Sequence, residues 1–171
     1  MKKLLGILVL SLLLVGCAST PLITKKADPN LYNEAINFSI SENISRIYFL
    51  TGSCDALLKK WDCAAAGGIF VNEKYIGGIN KTDAMVVDLK PGNYEFLWHY
   101  NTNYQKKSFG IKNVPLNINL NAGEFTILKL SILAGSRRGL LGAGLMPDKY
   151  VVEIIKDKSL ILSKNIVVTI N

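Results

Sequence analysis

Short runs of β-branched and aromatic residues, separated by turn residues, constrain the fold of this chain more than any other feature. The clearest run is NYEFLWHY, residues 93–100, where every second position is aromatic: Tyr94, Phe96, Trp98 and Tyr100. A period of two is typical of a β-strand with one buried face. Pro91 and Gly92 precede the run and predict a type II turn, because proline fixes φ at its second position and glycine accepts a positive φ at its third.

Comparable runs recur along the chain from Arg46 onward: RIYFLT, GGIFV, YIGGI, AMVVDL, LNINL, EFTILKLSIL, YVVEIIK and NIVVTI. GGIFV and YIGGI flank Asn72, Glu73 and Lys74, which predicts a hairpin. Because Glu73 stands where glycine usually accepts the positive φ of a type I′ turn, we expect a longer loop or a different register. The spacing of the runs predicts an all-β fold, an antiparallel β-sandwich of about eight or nine strands, without a helix in the mature domain.

The first 16 residues have the layout of a secretory signal, with Lys2 and Lys3 before an apolar run from Leu4 to Val15. Twelve apolar residues are too few to span a bilayer, which needs about 20. Leu14-Val15-Gly16-Cys17 resembles the lipobox of bacterial lipoproteins. That resemblance implies cleavage before Cys17 and attachment of lipid, such as palmitate, to Cys17. The alternative is an uncleaved anchor helix that contains a cysteine by chance.

The residue after Cys17 is Ala18. In lipoproteins of this type an aspartate there is the usual signal for retention in the inner membrane, so its absence favours the outer membrane with the protein facing the periplasm. Two or more acyl chains would hold the protein firmly at the membrane. The sequence therefore predicts a signal peptide at 1–16, a lipidated N-terminus and linker at 17–43, in which NEAINFSI is a candidate short element, and a β-sandwich domain at 44–171.

The mature chain is basic but has no long basic run. Removing residues 1–16 leaves 18 Lys and Arg against 13 Asp and Glu, a net charge of +5. The basic residues include four pairs: Lys25-Lys26, Lys59-Lys60, Lys106-Lys107 and Arg137-Arg138. A solvated surface explains such pairs, and attraction to anionic lipid or acidic envelope polymers is the alternative. We do not expect nucleic acid as a partner of an exported, tethered protein.

With Cys17 lipidated, Cys54 and Cys63 remain as an even pair in an oxidising compartment, which predicts a disulfide. A straight helix between them would hold their Cα atoms about 14 Å apart, beyond the roughly 7 Å that a disulfide tolerates. The segment between them should therefore fold back. A metal site is the rival interpretation, but the spacing does not match zinc ligands and His99 is the only histidine. We expect no metal or other cofactor.

The chain from Arg46 to about Ile155 resembles the lipoprotein family of domain of unknown function 2846, which is itself similar to small PEGA-type surface domains. The matching segments are RIYFL, IFVNEKYIGGI, MVVDLKPGNYEF and NAGEFTILKL. The resemblance implies a β-sandwich-like fold and provides no catalytic residues to transfer.

No catalytic motif appears in the sequence. His99 is the only imidazole available as a base, and its place in NYEFLWHY predicts a strand residue on the solvent face. Carboxylate pairs could hydrolyse a glycosidic bond, but the five candidates lie in predicted loops or turns without a convergent spacing: Asp55, Asp62, Asp83, Asp88 and Glu95. We therefore predict that the protein is not an enzyme, with an envelope-polymer hydrolase as the weakest alternative.

The segment AGSRRGLLGAGLMP, residues 134–147, combines glycines, two arginines and a large apolar content. A flexible connection between strands is one interpretation. The other is an interaction loop that docks on a partner protein or enters the membrane interface. Its candidate residues are Arg137, Arg138, Leu140, Leu141, Leu145 and Met146.

These features predict a non-enzymatic binding or scaffold module, tethered to the outer membrane through acylated Cys17. Its expected partners are the membrane itself and an envelope protein. The alternative is binding of peptidoglycan or another carbohydrate on an aromatic face formed by Tyr94, Trp98, Tyr100 and Tyr104, although such aromatics more often pack in a core.

Overall fold

The computed structural model describes residues 24–56, 59–62, 68–80, 82–99, 107–108, 111–138 and 145–169. The described residues form 13 strands and two helices. In chain order these are β1 Thr24–Lys26, α1 Pro29–Ile36, β2 Ser45–Ala56, β3 Lys59–Asp62, β4 Gly68–Val71, β5 Lys74–Gly77, β6 Asp83–Leu89, β7 Gly92–His99, β8 Lys107–Ser108, β9 Ile111–Val114, β10 Leu116–Leu120, β11 Phe125–Arg138, β12 Leu145–Ile155, α2 Ser159–Leu162 and β13 Asn165–Thr169.

The strands form two sheets, and every predicted strand run lies in one of them. In the large sheet the order is β1-β13-β6-β2-β11-β12-β9-β8, with β3 also paired to β2. The order in the small sheet is β10-β7-β4-β5. The predicted all-β sandwich is confirmed. The large sheet is mixed, however, because β11 runs parallel to β2, β12 to β9 and β13 to β6.

Period-two alternation builds two apolar cores on opposite faces of the large sheet. Along β2, Ile47 and Phe49 join the core between the sheets, whereas Tyr48 and Leu50 join a second core on the outer face of the large sheet. The helices contribute Ala35 and Ile161 to this second core, so they cover that outer face. Because both faces of β2 are buried, its sequence is an almost continuous apolar run.

Residues 24–43 depart from the predicted linker. Strand β1 pairs with β13, and α1 packs on the large sheet through Ala35, which is fully buried. The side chain of Asp28 caps α1 by accepting a hydrogen bond from the Leu31 N–H at 2.8 Å, and Pro29 occupies the first helical turn. The folded domain therefore begins at about Thr24, well before residue 44. Neither described helix has the length and apolar character needed to cross a membrane.

The turns differ from the predictions in an informative way. Asn72 and Glu73 form a two-residue loop with φ angles of +47° and +67°, as a type I′ turn requires. The longer loop is therefore wrong, whereas the other alternative, a change of register, does occur between Ile69 and Phe70 of this hairpin. Gly92 has a positive φ of +151°, but a type II turn needs a φ of about +80° at this position and Gly92 already belongs to β7, so the predicted type II turn is wrong. The Pro91-Gly92 connection is not a hairpin, because it carries the chain from β6 in the large sheet to β7 in the small sheet.

Candidate functional site

The described residues do not form the predicted aromatic binding face. Trp98 is 2 % exposed and packs edge-on against Tyr150 in the core between the sheets, with ring centroids 5.0 Å apart. Tyr94 is half-buried beside Phe96 on the same side of β7, and its hydroxyl donates to the Lys90 carbonyl at 2.9 Å. Tyr100 and Tyr104 lie outside the described residues. The two described aromatics therefore stabilise the sandwich and present no stacking surface.

The opposite face of β7 carries polar residues instead. Asn93 pairs across the strands with Asn119, and Glu95 pairs with Asn117. Paired residues share a face, and Tyr94 and Ile118 lie between them on the core side. We call the resulting surface the amide face. It consists of Asn72, Asn93, Glu95, Asn117 and Asn119.

The β4–β5 turn completes the amide face. The Asn72 N–H donates to the Glu95 carbonyl at 2.9 Å, and the Asn72 side-chain oxygen accepts from the Glu95 N–H at 2.8 Å. Asparagine tolerates positive φ better than most residues, which allows Asn72 to adopt this conformation at the first turn position. These two hydrogen bonds hold the turn against β7, on the face that carries Asn93, Asn117 and Asn119.

The amide face lines a shallow depression of about 370 Å³. Its lining residues are Asn72, Asn93, Tyr94, Glu95, Asn117, Ile118 and Asn119. Among the described residues, no protein group bonds to the carboxamides of Asn93, Asn117 and Asn119. Each carboxamide offers two donor hydrogens and an acceptor oxygen. The described lining therefore presents several hydrogen-bonding groups and no cationic side chain.

The outer face of the small sheet changes character along β7. Beyond Glu95, the next residue on this face is Leu97, which pairs with Phe70 of β4, and both are about 1 % exposed. The Phe70 ring also contacts Tyr75, with centroids 5.7 Å apart. Burial raises the pKa of the Tyr75 hydroxyl. The polar surface is therefore confined to the end of the sheet nearest the β4–β5 turn.

The most buried charge among the described residues belongs to a structural ion-pair network. Arg46 is 2 % exposed and binds Asp88 with two hydrogen bonds of 2.8 Å each. It also donates to Glu34 of α1 at 3.2 Å and to the Ser39 carbonyl at 2.9 Å. The hydrogen bonds to Asp88 raise the pKa of the Arg46 guanidinium further, so it stays charged. These contacts join α1 to the large sheet and leave Asp88 unsuited to catalysis.

The other hydrolase candidates are not brought together in the described part of the chain. All five carboxylates lie in strands rather than in the predicted loops: Asp55 in β2, Asp62 in β3, Asp83 and Asp88 in β6, and Glu95 in β7. Asp83 accepts hydrogen bonds from Asn80 and Thr82 at the start of β6. His99 ends β7, as a strand residue. No group of three or more His, Cys, Asp or Glu side chains in the described ranges could hold a metal ion.

Several predicted site residues fall partly or wholly outside the described residues. Cys17, the predicted lipidation site, lies outside them. Cys54 is in β2, opposite Trp61 of β3. The segment between the two cysteines does fold back, as a β-hairpin, but Cys63 lies outside the described residues and the disulfide stays a prediction.

The predicted interaction loop is largely strand. Arg137 and Arg138 end β11, and Leu145 and Met146 begin β12, with Arg138 paired to Leu145. Leu140 and Leu141 lie outside the described residues. Residues 134–138 and 145–147 are therefore strand rather than loop, with register shifts around Ala134, and residues 139–144 lie outside the described residues.

Comparison with known proteins adds no relative. No protein-family model matches the chain, and no curated protein matches it. The resemblance to domain of unknown function 2846 consequently stays a prediction.

Proposed function

We propose that this protein is a non-enzymatic binding module, anchored by lipid on Cys17, that holds a neutral, hydroxyl-rich polymer on the amide face. The observation that supports this proposal is the set of asparagines on neighbouring strands around the 370 Å³ depression. Asparagine is depleted in strands, yet Asn93, Asn117 and Asn119 all occupy exposed strand positions. A ligand that uses their carboxamides accounts for this choice of residue.

The chemistry of the amide face selects the class of ligand. A sugar hydroxyl both donates and accepts hydrogen bonds, and a carboxamide can do the same. None of the described residues that line the depression is cationic, which makes a neutral polymer a better ligand than an anionic one. The glycan strands of peptidoglycan fit this description, and they are present in the compartment that the signal sequence predicts.

The anchor would hold this face close to its polymer. Six residues lie between Cys17 and Thr24, the first residue of β1, and a chain of that length spans at most about 25 Å between the two. A short tether gives a weak binding site a high effective concentration of any polymer near the membrane. We propose an outer-membrane location, facing the periplasm, because Ala18 stands where an aspartate would signal retention in the inner membrane.

The test is retention of the full-length protein, solubilised in neutral detergent, on isolated peptidoglycan sacculi and on chitin beads. Chitin is a neutral polymer of N-acetylglucosamine, so it excludes attraction to the carboxylates of sacculi. The double variant Asn117→Ala/Asn119→Ala should lose roughly fivefold or more of the retention on both, because each lost hydrogen bond contributes about 0.5–1.5 kcal/mol.

The matched control is Asn30→Ala/Asn33→Ala, which removes two exposed asparagines of α1, on the outer face of the large sheet. It should be retained as well as the natural protein. Equal loss in both variants, or no retention on chitin at all, would refute the amide face as a glycan site. Unchanged thermal midpoints would show that both variants are folded.

A further inference from the structure

The two helices carry most of the exposed large apolar side chains in the described part of the chain. Four such side chains are more than a third exposed there: Tyr32, Ile154, Leu160 and Leu162. Three of these belong to α1 or α2, and Leu160 and Leu162 are 41 % and 58 % exposed. Ile161, between the two leucines, is fully buried in the core on the outer face of the large sheet. Helix α2 therefore packs through one apolar residue and leaves its other two exposed.

Lysines flank these leucines in the sequence. Residues 156–164, KDKSLILSK, contain three lysines against one aspartate, a net charge of +2. The Asp157 carboxylate is used locally, because it accepts hydrogen bonds from the Ser159 N–H at 3.0 Å and from the Ser159 hydroxyl at 2.6 Å. Lys156 and Lys158 are both exposed. Exposed leucines accompanied by lysines are typical of a segment that lies at a membrane interface.

Lys158 is held on the same outer face as the helices. Its Nζ atom lies 4.9 Å from the centroid of the Phe38 ring and 4.6 Å from that of Phe125, and both rings pack against the outer-face core. Lys158 also precedes Leu162 by four residues, a spacing that makes two side chains neighbours on a helix. A lysine stem can lie along apolar surface while its ammonium group stays in water. A positive charge is therefore held beside the exposed leucines.

Tyr32 adds an exposed aromatic ring from α1. It lines a depression of about 300 Å³ together with Asn165 and Ile166, at the start of β13. Asn165 follows Leu162 by three residues, so Tyr32 and the end of α2 border the same corner of the outer face. Tyrosine is enriched where proteins meet the polar surface of a membrane. We call Tyr32, Lys158, Leu160 and Leu162 the helix patch.

The helix patch adjoins the edge of the large sheet at which the chain from Cys17 enters. Strand β1 pairs with β13, with Thr24 opposite Thr169. Strand β13 begins three residues after α2 ends, and Thr169 is four residues beyond Asn165, about 13 Å along the strand. The tether from Cys17 to Thr24 spans up to about 25 Å, which is longer than this distance. An acylated Cys17 therefore allows the helix patch to reach the membrane surface.

The helix patch and the amide face are on opposite sides of the molecule. The helices cover the outer face of the large sheet, whereas the amide face is on the outer face of the small sheet, beyond the core between the sheets. Two packed sheets are about 10 Å apart, and a helix layer adds about 10 Å, so the two surfaces are separated by roughly 20 Å. Contact of the helix patch with the membrane would direct the amide face away from it.

We propose that the helix patch docks on a membrane surface that contains anionic phospholipid. Leu160 and Leu162 enter the headgroup region, and the neighbouring lysines lie beside lipid phosphates. So few residues bind a membrane weakly by themselves, so this inference rests on the acylated Cys17 of the proposed function, but not on its glycan site. Docking fixes the orientation of a domain that is otherwise attached at one point, and it turns the amide face toward a polymer on the far side.

The test places the full-length lipidated protein in phosphatidylcholine vesicles, with or without phosphatidylglycerol, and measures quenching of tryptophan fluorescence by lipids brominated in their acyl chains. The reporter is Leu162→Trp, which keeps an apolar side chain suited to a membrane interface. The natural protein supplies the background from Trp61 and Trp98. The reporter should be quenched in vesicles with phosphatidylglycerol and less so without it. The matched control, Lys74→Trp on β5 of the small sheet, should not be quenched above background.

Charge variants test the contact with lipid phosphates. In the Leu162→Trp protein, Lys156→Gln/Lys158→Gln should lower the ratio of docked to undocked protein roughly tenfold or more, because each lysine near an anionic surface adds to binding. The control Lys74→Gln/Lys90→Gln removes the same charge from β5 and from the connection between β6 and β7. It should change this ratio less than about twofold, since exposed charges beyond a Debye length are largely screened. Unchanged thermal midpoints would show that both variants are folded.

Flotation of the same vesicles distinguishes failure of docking from failure of the anchor. Protein that floats with the vesicles while Leu162→Trp stays unquenched would overturn the docking alone. Protein that does not float would contradict both the anchor and the docking, and glycan binding would keep its own test. Equal quenching with and without phosphatidylglycerol, or equal loss in both charge variants, would also overturn the proposal. So would a blue shift of Leu162→Trp emission that grows with protein density without quenching, because it would indicate contact with a second copy of the chain.

Discussion

Arg46 and Tyr48 lie two residues apart on β2, so both side chains point to the outer face of the large sheet, where they contact the α1 segment. The Tyr48 hydroxyl donates to the Ala35 carbonyl at 2.9 Å, and its ring contacts Phe38 and Phe125. Arg46 binds Glu34 and the Ser39 carbonyl on the same segment. Helix α1 is thus held by a neutral hydrogen bond, an ion pair and a ring cluster, which explains why a short helix is stable at this position.

The Tyr48 hydroxyl makes stability depend on alkaline pH. Burial is the largest cause that raises the pKa of Tyr48 to about 12, from an ordinary value of 10. Between pH 10 and 12 the unfolded chain has lost this proton and the folded chain retains it, so the unfolding free energy falls as pH rises. We expect a loss of about 2 kcal/mol over this window and none from this group below it.

Denaturant unfolding at pH 7 to 12 checks this expectation against Tyr48→Phe, which keeps the ring and removes the titrating group. At pH 7 the variant should be less stable by about 1 kcal/mol, because the hydrogen bond to Ala35 is lost. That difference should shrink or reverse by pH 12. Parallel curves for the two proteins would rule out Tyr48 as the source of the pH dependence.

The β4–β5 hairpin stores strain in its turn. Glu73 has φ of +67°, and a non-glycine residue in the left-handed region costs about 1–2 kcal/mol. Glycine removes this cost but loses more backbone entropy on folding, about 0.5–1 kcal/mol. Glu73→Gly should therefore stabilise the fold by about 0.5 kcal/mol, visible as a higher midpoint in urea. Glu73→Ala keeps the Cβ atom and the backbone strain, so its midpoint in urea should not rise. An equal rise for Glu73→Ala would show that the added stability comes from loss of the carboxylate.

The strands were predictable because their apolar periodicity is local. NYEFLWHY and LNINL both gave the correct core side, with Phe96, Trp98 and Ile118 facing inward. The same pattern predicts that Leu97, on the opposite face, is exposed to solvent, yet Leu97 is also buried. Burial on the second face of a sheet depends on tertiary neighbours, which the local pattern does not contain. The start of helix α1 could also have been predicted, because Asp28 followed by Pro29 is typical of a helix N-terminus.

The sheet order and both proposed sites were not predictable from the same patterns. Parallel pairing of β2 with β11 joins residues about 80 positions apart, and no local pattern specifies such a partner. The amide face was missed because asparagines normally indicate turns, although Asn117 and Asn119 alternate with apolar residues as strand residues do.

At the scale of the whole molecule, the proposed anchor determines where both sites can act. Cys17→Ala should abolish incorporation of radiolabelled palmitate and move the protein from the membrane to the soluble fraction, because one residue carries the acyl chains. Binding of chitin by the purified variant should be unchanged. Continued membrane association without label would instead support the uncleaved anchor helix.

Strand β13 lies between β1 and β6, so the first and last described strands of the large sheet are neighbours. β13 also supplies Val167 to one core and Ile166 to the other. Both cores therefore stay incomplete until residues 165–169 have left the ribosome, and contacts between such distant segments form slowly. For the export that the N-terminal sequence predicts, this order is useful, because a polypeptide that cannot finish folding early can still pass through a translocation channel.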